Sequence, residues 1–368
     1  MTRATPPFRA DHVGSLLRPA GLMEARARRE RGEISTDDLR VVENAAIEHI
    51  IARQADVGLR SATDGEFRRA MWHFDFLEHL DGVESFRAEH GIAFKGGIET
   101  QAKGLRVTGK VAFSTHPMLY HFRFLRDHTR AMPKMTIPSP SVLHFRGGRR
   151  AVSAAVYPEM EEFYRDLAMA YRGAVGAFAA AGCRYLQLDE VNLAYLCDPE
   201  QRRMLRERGD DPERLPGVYA GMINTAIGGR PADMTITMHL CRGNFRSSWI
   251  AQGGYEPVAE LLFNQIGVDA YFMEFDTERA GGFEPLRFVP KKKLVVLGLV
   301  TSKTGALESA AELERRIDDA AKYVDLEQLC LSPQCGFAST EEGNALSEAE
   351  QWAKLERIVE VARTVWGG

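Results

Sequence analysis

Helical and strand patterns alternate along almost the whole of this 368-residue chain. A helical pattern at residues 36–57, capped by Ser35 or Thr36 and ended by Gly58, leads into a short strand pattern at 60–63. The same succession of a helical and a strand pattern recurs towards the C-terminus. Such alternation is typical of βαβ units, which build parallel sheets.

The number of strand patterns predicts how this sheet closes. We expect eight strands, which is the number that a (β/α)8 TIM barrel needs. They lie at residues 10–13, 60–63, 134–137, 184–188, 233–238, 268–273, 293–300 and 326–332. Residues 82–114 predict a β-hairpin and 116–132 a helical segment beside the mouth of the active site. We therefore expect one barrel domain over residues 1–368, with an insertion at about 82–132.

Three of the strand patterns end in residues that bind metals. His239 and Cys241 follow one of them. Glu274 follows the next, and Cys335 follows the last. Because strand positions alternate, a strand-end His-x-Cys places both side chains on one face. Thiolate and imidazole select zinc over magnesium or calcium, so the sequence predicts a zinc site formed by these residues.

The carboxylate favours a catalytic zinc over a structural one. Structural sites usually draw cysteines in close pairs such as C-x-x-C, and this sequence has none. A carboxylate is a hard ligand that a substrate thiol can displace. The alternative from spacing alone is that Cys241 and Cys335 are ordinary buried thiols and His239 a core histidine with satisfied hydrogen bonds.

Composition favours an enzyme of a reducing compartment. A chain with 45% hydrophobic and 27% charged residues can bury a large core. Its net charge of -4 argues against a nucleic-acid or anionic-membrane partner. The five cysteines are odd in number and form no disulfide pattern. No apolar run is long enough to cross a bilayer, so we expect a cytoplasmic protein.

Other predicted strands also end in polar clusters. These clusters lie at residues 12–15, 64–66, 138–140 and 189–190. The active sites of TIM barrels lie at the C-terminal ends of the strands. We therefore expect the clusters and the metal ligands to form one site.

These motifs resemble the catalytic domain of the cobalamin-independent methionine synthase family, and in particular its short bacterial homocysteine methyltransferases. The most specific segments are 63–69 (TDGEFRR), 186–190 (LQLDE), 239–246 (HLCRGNFR) and 332–337 (SPQCGF). The resemblance covers nearly the whole chain. It implies a zinc-dependent methyltransferase of methionine biosynthesis, which activates homocysteine as a zinc-bound thiolate and methylates it to methionine.

The resemblance also assigns roles to residues. The family's zinc ligands fall on His239, Cys241, Glu274 and Cys335. By motif position, Val13 and Ser15 would hold the homocysteine carboxylate through backbone and hydroxyl groups. Glu66 and Asp189 would hold its ammonium group, because a zwitterion needs an anionic partner for its amine. The alternative for these two carboxylates is a structural ion pair with a nearby arginine.

The donor half of the site departs from the family pattern. The family's Asp-x-His segment, which helps to protonate the folate leaving group, appears here as residues 300–304 (VTSKT). Residues 332–334 read Ser-Pro-Gln where the synthases have Asn-Pro-Asp. The sequence also lacks the large N-terminal domain of the full-length synthases, which helps to bind the tail of methyltetrahydrofolate. The expected methyl donor is therefore methyltetrahydrofolate, methylcobalamin or another methylated compound.

Two other functions compete with homocysteine methylation. One is alkyl transfer to a different thiol, as in the epoxyalkane:coenzyme M transferases. Glu66 and Asp189 argue against it, because that thiol has no amine. The other is a barrel whose zinc is only structural.

Overall fold

The computed structural model describes residues 3–367 and has the expected α/β barrel fold. The strands are β1 (Ser61–Ala62), β2 (Asp81–Arg87), β3 (Ala93–Phe94), β4 (Ile98–Glu99), β5 (Lys103–Ala112), β6 (Met132–Pro138), β7 (Tyr185–Asp189), β8 (Thr235–Leu240), β9 (Ala270–Glu274), β10 (Leu294–Val300) and β11 (Leu329–Pro333). The helices are α1 (Ala20–Glu30), α2 (Thr36–Asp56), α3 (Phe74–Leu77), α4 (Met118–His128), α5 (Ser141–Phe145), α6 (Met160–Ala180), α7 (Asn192–Tyr195), α8 (Pro199–Arg208), α9 (Leu215–Ile227), α10 (Glu256–Gln265), α11 (Ala310–Ala320) and α12 (Glu348–Trp366). Within this range, seven strands form a curled parallel sheet in the order β1, β6, β7, β8, β9, β10, β11.

The predicted first strand is the exception. Only Ala10 forms a parallel bridge, with Leu331 of β11. The prediction of a strand at residues 10–13 is therefore wrong beyond that bridge. Gly14 has a φ of 149°, and its carbonyl oxygen accepts a hydrogen bond from the Thr63 hydroxyl at 2.6 Å, so a side chain and not a strand backbone bonds this oxygen. On its other side, β1 is only two residues long, so a continuous backbone ladder does not form.

Side chains close the barrel where this ladder is missing. The Asp11 carboxylate accepts hydrogen bonds from the Ser61 hydroxyl at 3.0 Å and the Tyr185 hydroxyl at 2.8 Å. The Lys134 ammonium lies 3.5 Å from Asp11 Oδ1, and both side chains have no exposed surface. It also lies 4.0 Å from the ring centroid of Phe272. A buried ion pair therefore joins the N-terminal segment to β1, β6, β7 and β9.

Local signals set the helix boundaries much as predicted. Ser35 and Asp38 form a reciprocal capping box at the start of α2, and Gly58 follows its end with a φ of 94°. Ser347 and Glu350 form the same box at the start of α12. Across residues 3–367, no helix combines the length and the apolar composition that crossing a bilayer requires.

The predicted β-hairpin is present and reaches the C-terminal rim of the barrel. Its long arms, β2 and β5, pair antiparallel, and β3 and β4 pair at its tip. The Lys95 amide donates to the Trp249 carbonyl oxygen at 2.8 Å, and the Ser248 hydroxyl donates to the Lys95 carbonyl oxygen at 2.5 Å. The rings of Phe94 and Phe245 lie 5.2 Å apart. The tip is therefore attached to the loop that follows β8.

The helical segment after the hairpin packs as part of the barrel. Helix α4 contacts α2, β6 and α6, so it belongs to the outer ring of helices between β1 and β6. The assignment of residues 1–368 to one domain stays a prediction, and residues 1, 2 and 368 lie outside the described range.

We expect Lys134→Met to lower the free energy of unfolding by about 3–5 kcal/mol, because it leaves Asp11 buried without its cation. Urea denaturation followed by circular dichroism measures this change. The double variant Asp11→Asn/Lys134→Met should recover part of the loss, since neither charge remains. An unchanged unfolding free energy in the single variant would show that the pair does not hold the barrel closed.

Candidate active site

The register of two neighbouring strands places an acid beside the predicted histidine. Asp189, the last residue of β7, pairs with His239 of β8. Asp189 Oδ1 lies 3.4 Å from His239 Nδ1. His239 Nε2 lies 3.3 Å from the backbone oxygen of Gln334, which follows β11. Contacts at both ring nitrogens therefore fix the orientation of a buried imidazole.

His239, Cys241 and Cys335 form one compact buried group. One ring nitrogen and the two Sγ atoms all lie within 4.8 Å of one another. Burial disfavours a charge on His239, but its hydrogen bonds with Asp189 and Cys335 and the charges of both outweigh burial and raise its pKa to about 10. The hydrogen bond between the two cysteines lowers the pKa of Cys335 well below its usual value and raises that of Cys241 well above it.

The chemistry of this group fits a soft metal ion. The imidazole and the two thiols are buried, and their ligand atoms lie close enough together to bind one ion. One imidazole and two thiols are a donor set that suits zinc. These residues therefore form a candidate metal site with three protein ligands.

The fourth predicted ligand, Glu274, lies beside this group but not within it. Its carboxylate forms an ion pair with the Arg279 guanidinium, and its Oε1 lies 3.5 Å from Lys303 Nζ. Its Oε2 accepts a hydrogen bond from the backbone amide of Arg242 at 2.7 Å. Burial opposes its ionisation, but these cations outweigh burial and lower the pKa of Glu274 to about 2. The carboxylate is ionised and already has two cationic partners.

One cavity is lined by all four predicted substrate residues and by the three members of the metal group. These are Val13, Ser15, Glu66, Asp189, His239, Cys241 and Cys335. Val13 and Cys335, which lie more than 320 residues apart in the sequence, thus line the same cavity, as their positions at predicted strand ends indicated. Their roles in binding stay predictions.

A close approach of two loops shapes the cavity floor. A Cβ atom at Gly336 would lie 1.9 Å from Ser15 Oγ and 3.1 Å from Ser15 Cβ, so a side chain next to Cys335 would displace that of Ser15. The Phe337 amide also donates to the Ser15 carbonyl oxygen at 2.9 Å. The absence of a side chain at position 336 therefore keeps Ser15 beside Cys335.

Glu66 combines an unusual backbone with an incompletely paired carboxylate. Its φ is 61°, a conformation that costs energy in residues other than glycine. Its Oε1 accepts a hydrogen bond from Thr136 at 2.8 Å, whereas its buried Oε2 has no hydrogen-bond partner within residues 3–367. Arg69 Nη1 lies 3.5 Å from Oε2, so an arginine is close, as the alternative interpretation required. Burial, opposed by Arg69 and reinforced by Asp189, raises the pKa of Glu66 to about 7.

The cavity has a further part of its lining that no sequence pattern predicted, and we call it the aromatic patch. It consists of Trp72, His73, Phe94, Arg146, Tyr195 and Phe245. These residues come from five separate regions of the chain, and Phe94 belongs to the tip of the hairpin. Only Phe245 carried a signal, because it lies in the segment 239–246 that follows β8.

The family model described as the catalytic domain of cobalamin-independent synthase matches residues 8–364. The chain belongs to this family. It is 51% identical over 362 residues to the uncharacterized protein YxjH of Bacillus subtilis, across 98% of this chain and 95% of that protein. It is 23% identical over 352 residues to the methionine synthase of Pyrococcus abyssi, across 94% of this chain and 91% of that protein. The fold also matches the crystal structure of the putative vitamin-B12 independent methionine synthase from Listeria monocytogenes. The match covers 100% of both chains, with 43% sequence identity and a TM-score of 0.80.

In this member of the cobalamin-independent synthase family, the two segments that depart from the family pattern contact each other. The Gln334 side-chain oxygen accepts hydrogen bonds from the Ser302 amide at 2.6 Å and the Ser302 hydroxyl at 3.0 Å. Asn244 donates to the same hydroxyl at 3.1 Å. Lys303 Nζ lies 3.2 Å from Asp276 Oδ2. Hydrogen bonds and an ion pair therefore hold both segments next to the residues that follow β8 and β9.

Proposed function

We propose that the protein is a zinc-dependent methyltransferase that methylates homocysteine to methionine. One observation supports this most directly: a group of two thiols and an imidazole lines the same cavity as Glu66 and Asp189. Such a cavity offers a soft metal site for a sulfur atom and carboxylates for an amine. Membership of the synthase family, whose relatives include a methionine synthase, agrees with this proposal.

His239, Cys241 and Cys335 would hold the zinc ion, with Glu274 as the proposed fourth ligand. Zinc, when bound, would lower the pKa of the substrate thiol so that its sulfur is a thiolate at neutral pH. Asp189 accepts the Nδ1 proton of His239 and keeps the ring in one orientation. Glu274 would have to leave Arg279 and Lys303 in order to bind the metal.

The carboxylates fix the other end of the substrate. The Glu66 and Asp189 carboxyl groups suit the homocysteine ammonium, whose charge favours the ionised form of Glu66, and the Ser15 hydroxyl and Val13 backbone suit its carboxylate. Asp189 has no ion pair with an arginine within the described range, which favours the substrate role over a structural one. The same carboxylates disfavour a thiol without an amine.

Methyl transfer is an in-line displacement that needs alignment and a stable leaving group. The residues in place of the family's Asp-x-His offer no free acid, because Ser302 bonds Gln334 and Lys303 is paired with Asp276 and Glu274. We infer that the donor releases its methyl group without needing a proton. A cytoplasmic location with reduced cysteines suits this chemistry and stays a prediction.

We expect about one zinc ion per chain, held by the thiol pair. Cys241→Ser and Cys335→Ser should each release it, because a hydroxyl is a much poorer ligand than a thiolate. Metal analysis after dialysis measures zinc per chain. Cys183→Ser, which changes a buried thiol outside the group, is the matched control and should keep full occupancy.

Glu274→Gln should weaken zinc binding if Glu274 becomes a ligand. Zinc affinity equal to that of the unchanged protein would leave a three-residue site. Full zinc occupancy in both cysteine variants would mean that the ligand assignment is wrong.

Glu66→Gln should weaken homocysteine binding by about 2–5 kcal/mol, because the ammonium loses its charged partner. It is a cleaner test than Asp189→Asn, since Asp189 also contacts His239. Calorimetric titration of the zinc-loaded protein with homocysteine measures the affinity. Glu43→Gln, which alters a glutamate 3.7 Å from Arg68 and outside the cavity, serves as the control. If Glu66→Gln and Asp189→Asn both bind homocysteine normally, the amino-acid pocket lies elsewhere.

We expect slower methyl transfer from methyltetrahydrofolate than from methylcobalamin. The folate nitrogen is a poor leaving group unless protonated, and general acid catalysis is typically worth about 10² to 10⁴ in rate. Single-turnover rates with homocysteine fixed, with methionine scored by mass spectrometry, compare the two donors. A folate-dependent rate equal to or above the methylcobalamin rate would contradict the inference about the leaving group.

A further inference from the structure

The cavity has two parts of different electrostatic character. Glu66, Asp189 and the two thiols line the first part, where a cation and an amine would bind. The aromatic patch lines the second part, and its one charged residue is Arg146. The proposed homocysteine contacts all lie in the first part, so the second part is suited to another molecule.

Arg146 is a cation without an acidic partner. Within residues 3–367 it forms no ion pair, and its Nε is buried without a hydrogen-bond partner. Its guanidinium interacts with the Tyr195 hydroxyl, which is itself buried in the cavity lining. An arginine that is half-buried and unpaired in a cavity lining is suited to bind a carboxylate or another planar anion.

His73 adds a second unpaired group to the same patch. It is 1% exposed, and neither ring nitrogen has a hydrogen-bond partner among the described residues. Burial, and then the nearby charges of Arg146 and Lys103, lower its pKa well below the usual value. The ring is therefore neutral at pH 7, where it can donate one hydrogen bond to a ligand without adding a charge.

The other residues of the patch offer aromatic faces. Trp72, Phe94, Tyr195 and Phe245 all line the cavity, and Phe94 and Phe245 lie 5.2 Å apart. Aromatic faces attract organic cations such as methylated ammonium and sulfonium groups. The patch thus combines a surface for a methylated cation with a guanidinium for an anion.

We propose that the aromatic patch binds the methyl donor, and that this donor is a small methylated onium compound that carries an anionic group such as a carboxylate. The proposal rests on the proposed function and names its second substrate. The thiolate sulfur of homocysteine attacks the onium methyl carbon and forms a new carbon–sulfur bond. The bond from that carbon to the onium centre breaks, and its electron pair stays on the leaving group, which departs as a neutral thioether or amine.

This reaction balances without a proton. The thiolate loses its negative charge and the onium centre loses its positive charge in the same step. It therefore suits a site in which Ser302 and Lys303 are committed to structural contacts and His73 is neutral. Arg146 would hold the anionic group before and after transfer, and would so be a specificity-determining residue.

A matched pair of sulfonium donors tests the proposal. Dimethylsulfonioacetate carries a carboxylate, and ethyldimethylsulfonium has a methyl group in its place, so both break the same kind of bond. With homocysteine saturating, we expect kcat/KM to favour dimethylsulfonioacetate by about 10- to 100-fold, the range that one charge-assisted contact gives. In Arg146→Gln this preference should fall to about onefold while the KM for homocysteine is unchanged, and Arg146→Lys should retain part of it.

Arg150→Gln is the control, because it removes the same charge from an exposed neighbour outside the cavity lining. It should leave the preference intact. Equal rates with the two sulfonium donors, an equal loss for both in Arg146→Gln, or a raised KM for homocysteine in that variant would overturn the assignment. So would methionine formation from methylcobalamin but none from dimethylsulfonioacetate. Failure of homocysteine to bind the zinc-loaded protein would instead refute the proposed function itself, and this inference with it.

Discussion

The pairing register of the parallel sheet is the constraint on which the candidate site depends. Asp189 and His239 are neighbours because they occupy paired positions on β7 and β8. The backbone oxygen of Gln334, which follows β11, lies 3.3 Å from the other ring nitrogen of His239. A shift of one residue in β8 would turn His239 away from the cavity, and the same shift in β7 would turn Asp189 away from it, since side chains alternate along a strand. The barrel therefore fixes the imidazole before any metal or substrate binds.

Charge balance around the thiols explains why the four predicted ligands do not lie together. Burying several anions without compensation is costly, and the chain supplies Arg279 and Lys303 next to Glu274. His239 stabilises the anionic sulfur of Cys335 in the same way. Each anion in this region has a cation of the protein as its partner. Metal binding through Glu274 would exchange these partners for the ion.

Sequence patterns predicted the features of the fold and of the site that depend on local and periodic signals. The start of α2 at Ser35 follows from a capping residue, and the common position of Asp189, His239 and Cys335 follows from the rule that strand ends share one rim. The same patterns could not predict contacts between distant segments that contain no motif. Arg146 illustrates this limit, since its lack of an acidic partner is visible only in the folded chain.

The hairpin that carries Phe94 makes its backbone ladder with itself, because β2 pairs with β5 and β3 with β4. None of the seven barrel strands uses it as a pairing partner. Evolution can therefore lengthen, shorten or replace the tip without changing the register that fixes His239. If the aromatic patch binds the methyl donor as proposed, the choice of donor could change through this loop while the residues that hold the thiol stay the same.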